Sequence, residues 1–580
     1  MNIKNLLTRL WGSGRSAEGA GTPAALLQDG LRRQANGDEA AALASFRQVL
    51  AVDTGNADAH YLLGATLGQR GQLDAARTHL RQALASRPAF ADAHLALGNV
   101  CLLEGDADGA ASTYAEALRL MPDNAAVWSN LGLARQTVQD HAGALAAFAR
   151  AFELAPAMRD AVRNLTIERL HLDRFAESES HLRELLAMRP DDYEVLLSLG
   201  FTLQKQHRPQ QALECYERAR AIESGDPELL NNLGIVLQDL GRLDEALACY
   251  DAAIARKPGF ELARWHRTLA LLLRHDFSRG WQDYDLRLGS KDRPPRPSIA
   301  RAWRGEDPAN LQLLIYGEQG IGDEIMFASC LPQMIGASRH CVVECSERLL
   351  PLFRRSFPAA DVRVAGATTP APAVDAEVAM GSLPQYLRRD AAAFPRHDGY
   401  LAADPARVEA WRARFAALGP GPVVGISWQG GTHKTRSPAR SLPLAQWAPL
   451  LKTGGMHFVD LQYTDCAEEV AAAETALGMR IHRWRAVRED FEDTAAIVAA
   501  LDLVVSVCTA VIHLGGALGR PVWVLAPYSP EWRYGIQGES MPWYPSVRVF
   551  RQRAYGAWDP LLGDVAQSLT DWCRRWPYTA

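Results

Sequence analysis

A small residue, usually glycine, recurs every 34 residues through the first half of the chain, and this register constrains the fold more than any other feature. The positions it occupies are Gly30, Gly64, Gly98, Gly132, Thr166, Gly200, Gly234 and Thr268. Twelve residues later comes a second small residue, and four further on a large apolar one, as Ala144 and Phe148 follow Gly132. Self-similarity at a fixed period predicts a stack of identical supersecondary units.

The residue types in each unit predict a pair of antiparallel helices. The glycine and the second small residue would lie where the helices cross, and the large apolar residue would fill the space beside them. Most units end in a proline, which stops the second helix. This pattern resembles the tetratricopeptide repeat. It predicts seven repeats over residues 23–258 and a degenerate unit at 265–288 that caps the array. Together they form a repeat domain of residues 23–290, which follows a flexible leader, 1–22.

Asparagine stands two places before the glycine position in three units, as Asn130, Asn164 and Asn232. The repeats resemble those of the O-GlcNAc transferase family, in which asparagines at this position hold a peptide backbone. An amide suits this role because it donates and accepts hydrogen bonds at once. Many tetratricopeptide proteins simply tolerate asparagine there. The resemblance predicts that these three residues bind an acceptor protein in the groove that stacked repeats form.

Composition excludes several classes of protein. A chain of 580 residues is too long for one hydrophobic core. The net charge of −5 argues against nucleic acid or an acidic membrane as the main partner. The nine cysteines form no CxxC pair, which predicts free core thiols in a reducing compartment. No apolar run is long enough to span a membrane. We therefore expect a cytoplasmic protein without a membrane span.

The periodicity changes after a proline-rich break at residues 291–298. Short β-rich apolar runs then alternate with helical stretches, which predicts parallel sheets with crossover helices. The predicted strands are 311–316, 341–345, 376–380, 423–428, 457–462, 503–507, 522–525 and 547–550. A second Pro/Gly break at 419–422 divides this half into lobes of 299–418 and 419–580, each of a size for a Rossmann-like fold. The predicted fold class is an all-α repeat superhelix followed by a two-lobed α/β domain.

The first lobe opens with a strand, a glycine-rich turn at Gly320 and Gly322, and a helix near Asp323. The Gly322-Asp323 pair, followed by Pro332, resembles the opening of the ADP-heptose glycosyltransferases. The resemblance implies that Asp323 is the catalytic base, and Glu318 and Glu324 are nearby alternatives. Aspartate is also a common helix N-cap, which gives Asp323 a second interpretation.

The second lobe begins with a strand that ends in Gly430 and Gly431, followed by a basic loop. This loop carries His433, Lys434, Arg436 and Arg440. Cations at the carboxyl end of a strand are well placed for a diphosphate, although a solvated basic loop would have the same composition. The family has a lysine or arginine here that neutralises the leaving nucleotide, which implies Lys434 first and Arg440 second.

A further strand ends at Ser506–Thr509, and a helix begins near Ala510. Backbone N–H groups at such a helix start bind phosphate. The family pattern of a serine, a small polar stretch and a histidine is matched in outline by Ser506, Thr509, Ala510 and His513. The family often has Asp-Thr-Gly-Pro where this chain has Val-Cys-Thr-Ala, which puts the identity of the donor in doubt.

Aromatic residues are dense in the segment 528–544, at Tyr528, Trp532, Tyr534, Trp543 and Tyr544. They have two interpretations. They could stack on a base or a sugar, or they could seal the two lobes together. Arg533 and Glu531, in the same segment, are weaker candidates for the site.

The whole arrangement resembles bacterial tetratricopeptide-repeat glycosyltransferases with a GT-B, heptosyltransferase-like catalytic half. The resemblance implies a protein O-glycosyltransferase that transfers a sugar from a nucleotide-sugar donor to a serine or threonine of an acceptor protein, flagellin. The nucleotide-sugar is then a substrate, and neither a cofactor nor a metal is expected. Two other functions stay open: transfer to lipopolysaccharide or another glycan, and a non-catalytic interaction scaffold.

Overall fold

The computed structural model describes residues 22–289, 296–366, 373–431 and 437–576. The chain divides into two compact units, and the boundary between them, at Arg208 and Pro209, lies within the repeat array. Two predictions lie outside the described residues, namely the flexible leader, apart from Thr22, and the part of the basic loop that carries His433, Lys434 and Arg436.

Within its described residues the first unit consists of helices α1 to α11, joined by short turns. Their bounds are Pro23–Ala35, Glu39–Val52, Ala57–Gln69, Leu73–Ser86, Ala91–Glu104, Ala107–Leu120, Ala125–Thr137, His141–Leu154, Arg159–His171, Phe175–Met188 and Tyr193–Lys205. The second helices of the repeats end two residues before the proline that was predicted to stop them, as α8 ends at Leu154 ahead of Pro156. Acidic residues such as Asp106 and Asp140 cap helix starts by accepting a backbone N–H of the first turn.

The repeat glycines lie where the two helices of a pair touch. A Cβ atom added at Gly132 in α7 would lie 2.4 Å from Cε1 of Phe148 in α8, and at Gly98 it would lie 2.5 Å from Cε1 of Tyr114. Phe148 and Tyr114 are fully buried. The 34-residue register therefore encodes a close helix crossing, as the residue types predict.

We expect Gly132→Ala to destabilise the α7–α8 pair by about 1–2 kcal/mol, because the new methyl group overlaps a buried ring that has no room to move. The control is Gly68→Ala in α3, where the nearest atom to an added Cβ is Val100 Cγ2 at 3.3 Å. That variant should lose less stability, since Val100 Cγ2 needs to move by only a few tenths of an ångström and alanine favours a helix over glycine. Hydrogen exchange of the substituted pair in the full chain, α7 and α8 for Gly132→Ala and α3 and α4 for Gly68→Ala, measures each change relative to the wild type. Equal protection in the two variants would contradict the packing argument.

The second unit begins with α12 to α16, which span Pro209–Ile222, Pro227–Asp239, Leu243–Arg256, Glu261–Leu273 and Phe277–Gly280. In the last pair the second helix is a single short turn, followed by a 3₁₀ segment at Tyr284–Gly289. Trp281 and Tyr284 are each 2% exposed. The degenerate unit is therefore packed against the α/β region, and its outer face is not solvated as that of a terminal repeat usually is.

The first lobe is a five-stranded parallel sheet in the order β1-β5-β2-β3-β4. Strands β1 to β5 span Arg301–Ala302, Gln312–Tyr316, His340–Cys345, Asp361–Val364 and Ala376–Ala379. Helices α17 to α21 span Ile321–Phe327, Leu331–Ala337, Leu350–Ser356, Pro384–Leu387 and Pro405–Ala416. From β2 the chain adds β3 and β4 on one side and β5 on the other, so the direction of strand addition reverses between β2 and β5.

The second lobe is a seven-stranded sheet in the order β11-β12-β10-β9-β6-β7-β8, parallel except for the β11–β12 pair. Strands β6 to β12 span Val423–Ser427, His457–Asp460, Ile481–His482, Leu503–Val507, Val522–Ala526, Ser540–Met541 and Tyr544–Arg551. Helices α22 to α28 span Ser437–Arg440, Ala448–Leu451, Ala467–Leu477, Ala486–Glu489, Phe491–Ala500, Ala510–Ala517 and Trp558–Arg574. Without β11, this is the 3-2-1-4-5-6 order of dinucleotide-binding folds, with its switch point between β6 and β9.

The predicted fold class is confirmed, and each predicted strand corresponds to a strand of the structure. The sequence missed β1, β4, β8 and β11, which lie at or next to sheet edges and are two to four residues long. All nine cysteines are free and buried, as predicted. Among the described residues, no helix is both long enough and apolar enough to cross a membrane.

Candidate functional site

The two glycine-rich turns of the α/β region lie at the switch points of their sheets, where ligands of such folds bind. The first turn, with Gly320 and Gly322, follows β2 and leads into α17. The second, with Gly430 and Gly431, follows β6, beside the end of β9 that leads into α27. A Cβ atom added at Gly322 would lie 3.3 Å from both Cα of Ala510 and Cδ2 of His513. The structure therefore brings the predicted Gly322-Asp323 pair of the first lobe against the predicted helix start of the second.

Asp323 is the third residue of α17, and the N-cap of this helix is Gly320. The capping interpretation of Asp323 is therefore wrong. Its side chain instead binds Arg533, whose Nε lies 2.8 Å from Oδ1 and whose Nη2 contacts the same oxygen. Its other oxygen, Oδ2, accepts no hydrogen bond from the described part of the chain. The carboxylate is 19% exposed, so Oδ2 is available to a ligand.

Arg533 belongs to a row of four alternating charges. Its Nη1 donates to Oε2 of Glu531 at 2.8 Å, and the other oxygen of Glu531 binds Arg440. Burial alone would lower the pKa of Arg533, but the charges of Asp323 and Glu531 raise it well above its usual value. The row Asp323–Arg533–Glu531–Arg440 thus links the predicted base to the predicted donor-binding arginine. The sequence suggested Arg533 and Glu531 only weakly, because residues 323 and 533 are far apart in the chain.

The second half of the site surrounds the end of β6 and β9, where Ser427 pairs with Ser506. A Cβ atom added at Gly430 would lie 2.4 Å from Cγ2 of Thr509, so the position requires glycine. Thr509 is the N-cap of α27, but its hydroxyl lies 3.0 Å from that of Ser506 and makes no side-chain cap bond. The first N–H groups of α27 therefore lack a side-chain acceptor from Thr509, which suits them to an anion.

Two further predicted residues lie in the segment that follows β6. Gly431 has a φ of +85°, a left-handed conformation that favours glycine. Arg440 is 9% exposed and ends α22. Lys434, the predicted partner of the leaving nucleotide, lies in the part of the loop outside the described residues, so its role stays a prediction.

His513 is buried at the contact between the lobes. Its Nδ1 lies 3.2 Å from the hydroxyl of Tyr544. Burial, reinforced by the charges of Arg533 and Arg440, lowers the pKa of His513 to about 3. The imidazole is therefore neutral at physiological pH and contributes no positive charge to a phosphate.

This lowered pKa predicts a loss of stability in acid. The unfolded state binds a proton below about pH 6.5, whereas the folded state binds it only near pH 3, so stability is present above pH 6.5 and falls as pH decreases. We expect His513→Asn, which keeps an acceptor for Tyr544, to reduce the stability lost between pH 7 and 5 by about 2 kcal/mol. Urea unfolding of the full chain at the two pH values measures this. His340→Asn, at a partly exposed position of β3, is the control, and an unchanged pH dependence in His513→Asn would contradict the prediction.

The sequence did not indicate that the degenerate repeat holds the glycine-rich turn of the first lobe. Arg287 Nη2 donates to Oε1 of Glu318 at 2.8 Å and to the hydroxyl of Ser382 at 2.9 Å. Gln319 donates to the hydroxyl of Tyr284 at 3.3 Å. Arg287 therefore joins the turns that follow β2 and β5. Neither periodicity nor motif marks Arg287 or Tyr284, so no sequence signal could have found them.

The aromatic segment of the second lobe is packed, which favours the sealing interpretation over stacking on a ligand. Trp532, Tyr534, Trp543 and Tyr544 are 6%, 1%, 2% and 0% exposed. The Trp532 ring lies 5.5 Å from that of Trp281 and 6.4 Å from that of Phe327, so this cluster joins the degenerate repeat to both lobes.

The three predicted acceptor-binding asparagines lie on the first helices of their repeats. Asn130 is on α7, Asn164 on α9 and Asn232 on α13, and each is partly exposed. Asn130 Nδ2 donates to Oδ1 of Asn99 at 3.1 Å, an oxygen that also accepts from the hydroxyl of Tyr114. Asn130 and Asn164 belong to the first compact unit and Asn232 to the second.

Comparison with known proteins identifies the repeats. Two family models, each described as tetratricopeptide repeat, match residues 66–125 and 203–272. The chain contains tetratricopeptide repeats. It is also 36% identical over 340 residues to Protein FlbA of Caulobacter vibrioides, an alignment that covers 54% of this chain. The chain spans 57% of the length of that relative.

Among solved structures, the chain is similar to a tetratricopeptide repeat protein from Parabacteroides merdae, at 16% identity and a TM-score of 0.37. This match covers 43% of the chain and 98% of that protein. It is also similar to PilF of Pseudomonas aeruginosa, at 24% identity and a TM-score of 0.30, over 36% of the chain and 95% of PilF.

Proposed function

We propose that this protein is a glycosyltransferase that modifies proteins. The tetratricopeptide array would capture an acceptor protein, and the α/β region would transfer a sugar from a nucleotide-sugar donor to a serine or threonine hydroxyl. The main support is the approach of the Gly322-Asp323 turn to the start of α27, with Gly322 against Ala510 and His513. A carboxylate and an anion-binding helix start, both at sheet switch points, are the two parts that sugar transfer from a phosphate requires.

In the proposed reaction, Oδ2 of Asp323 accepts the proton of the acceptor hydroxyl. The hydroxyl oxygen forms a bond to the anomeric carbon of the sugar, and the bond from that carbon to the phosphate oxygen breaks. The phosphate departs with the electron pair, so negative charge develops on it. The N–H groups at the start of α27 and the cations Arg440 and Lys434 would stabilise this charge. Gly430, Gly431, Ser506 and Thr509 would line the donor site.

The charge row supports this assignment of Arg440. With Asp323, Arg533 and Glu531 it forms a set of two cations and two anions, which is neutral before a donor binds. A donor diphosphate would offer Arg440 an acceptor with more charge than the carboxylate of Glu531, and arginine binds phosphate oxygens well. Nucleotide-sugar is a substrate in this proposal, and neither a cofactor nor a metal is required.

For the acceptor we propose flagellin, captured in the cytoplasm with the help of Asn130, Asn164 and Asn232. Support comes from the resemblance to bacterial tetratricopeptide-repeat glycosyltransferases and from the ability of amides to bind any peptide backbone. The amide of Asn130 already forms a hydrogen bond to Asn99, which holds it in place at a partly exposed position.

The test combines the full-length protein with flagellin of its own organism and a panel of nucleotide-sugars, and follows the intact mass of flagellin. The proposal predicts a mass increase of one or more sugars with at least one donor. Transfer only to lipopolysaccharide or another glycan would mean that the acceptor is a glycan and not a protein. No transfer from any donor would favour the scaffold function. Asn130→Ala with Asn164→Ala should raise KM for the protein acceptor without changing donor hydrolysis.

A further inference from the structure

A cavity of about 480 Å³ lies in the first lobe, apart from the charge row and the glycine-rich turns. Its walls come from the 3₁₀ turn Ala328–Cys330, from α18, from the end of α19 and from residues 395–400, which join the lobes. Most of the lining is apolar, with Pro332, Ile335, Phe357, Pro358, Ala359 and Pro395. None of the described residues that line it is acidic.

One wall of this cavity carries Arg388, whose side chain is almost fully buried at 1% exposure. Its guanidinium donates to neutral acceptors: Nη1 to Oε1 of Gln333 at 3.1 Å and to the carbonyl of Leu387, and Nη2 to the carbonyl of Ser329. It forms no ion pair with a carboxylate of the described residues. A buried cation without a counter-charge is costly, and arginines in such surroundings are normally paired.

Two hydrogen-bonding atoms beside this cation are unsatisfied. The Nε of Arg388 and the hydroxyl of Ser329 are both buried and have no hydrogen-bond partner within the described residues. Both residues line the cavity. Buried polar groups normally find partners, and the exceptions mark places where a ligand or an ion belongs. The missing partner here is an acceptor that carries negative charge.

We propose that the cavity binds a small organic anion, a carboxylate or phosphate monoester on an apolar body. The anionic group pairs with Arg388 and Ser329, and the apolar body contacts the proline, isoleucine and phenylalanine side chains. The ligand also meets the segment that links the lobes. Tyr400, in that segment, lines the cavity and donates its hydroxyl to the carbonyl of Ile325 in α17, the helix of Asp323. This site does not depend on the proposed sugar transfer.

The test measures binding of three probes to the full-length protein by calorimetry: benzoate, phenyl phosphate and the neutral benzamide. We expect at least one anion to bind about tenfold or more tightly than benzamide, because a charge-assisted hydrogen bond is stronger than a neutral one. The preferred anion distinguishes a carboxylate ligand from a phosphate one. Benzamide binding as tightly as both anions, or no anion binding at millimolar concentration, would overturn the proposal.

Variants locate the site. Arg388→Met should weaken binding of the preferred anion about tenfold or more, and Ser329→Ala severalfold. Since the serine hydroxyl has no partner to lose, Ser329→Ala should leave the melting temperature unchanged and stays informative if Arg388→Met does not fold. Ser546→Ala removes another buried hydroxyl without a partner, outside the cavity, and should bind as the wild type does. Unchanged binding in Ser329→Ala would assign the anion to a different place.

Discussion

Asp323→Asn is expected to lower the rate of sugar transfer by about 100-fold to 10,000-fold, because it removes the proposed proton acceptor. Donor binding should be retained, because asparagine has nearly the same size and shape as aspartate. Steady-state rates with flagellin and donor, together with the dissociation constant of the donor, measure both quantities. An unaltered rate would show that Asp323 is not the base.

Asparagine is preferred to alanine because Arg533 is buried and binds Oδ1 of Asp323. The amide oxygen of asparagine still accepts from that guanidinium. Alanine would leave the cation with Glu531 alone, and the cost of the buried charge would lower stability as well as activity. Asp361→Asn in β4 is the matched control, since this carboxylate is exposed. It should change neither rate nor stability.

The neighbouring carboxylates are poorer bases in this structure. Glu324 is buried, and its Oε2 accepts the backbone N–H of Ser346 at 2.9 Å. Burial raises the pKa of Glu324, which would favour it as a base. Its carboxyl group, however, is packed against Gly317, where an added Cβ atom would be 2.8 Å from Cδ of Glu324. Glu318 is held by Arg287. We therefore expect Glu318→Gln and Glu324→Gln to affect transfer mainly through the shape of the turn, with a smaller loss than Asp323→Asn.

Gly519→Ala should destabilise the α/β region by about 3 kcal/mol or more, the largest effect on stability that we expect. An added Cβ atom would lie 1.8 Å from the carbonyl oxygen of Asp398, a backbone atom that cannot rotate away. That backbone is fixed, because Tyr400 and Leu401 both donate their N–H groups to the carbonyl of Ala517 at the end of α27. The substitution therefore separates the segment that links the lobes from the helix at the site.

Gly519 also has a φ of +69°, so part of its effect would arise from backbone conformation alone. Gly556→Ala separates the two causes, since Gly556 has a φ of +75° and no atom of the described residues lies within 4 Å of an added Cβ. The conformational cost for a left-handed residue is about 1–2 kcal/mol. Thermal and urea unfolding of the full chain should show the larger loss in Gly519→Ala. Equal losses in the two variants would mean that the contact with Asp398 contributes little.

Elements that depend mainly on residues close together in the chain could be predicted from the sequence. The 34-residue register placed the helix crossings at Gly98 and Gly132, because one helix pair must bury the same face against the next. Apolar runs of strand length identified the central strands of both sheets, since a parallel strand is covered on both faces. Edge strands such as β4 and β11 were not predicted, because they are short and partly exposed.

The contacts between residues far apart in the chain could be identified only from the folded structure. Asp323 pairs with Arg533 across the two lobes, and Arg287 of the degenerate repeat holds Glu318. Arg388 lines a cavity and forms no ion pair with a carboxylate in the part of the chain that the structure describes. The sequence marked Asp323 through a motif but gave no partner for it. The physical reason is that periodicity reports which face of an element is buried, whereas an ion pair depends on the position of two side chains that only the packed lobes bring together.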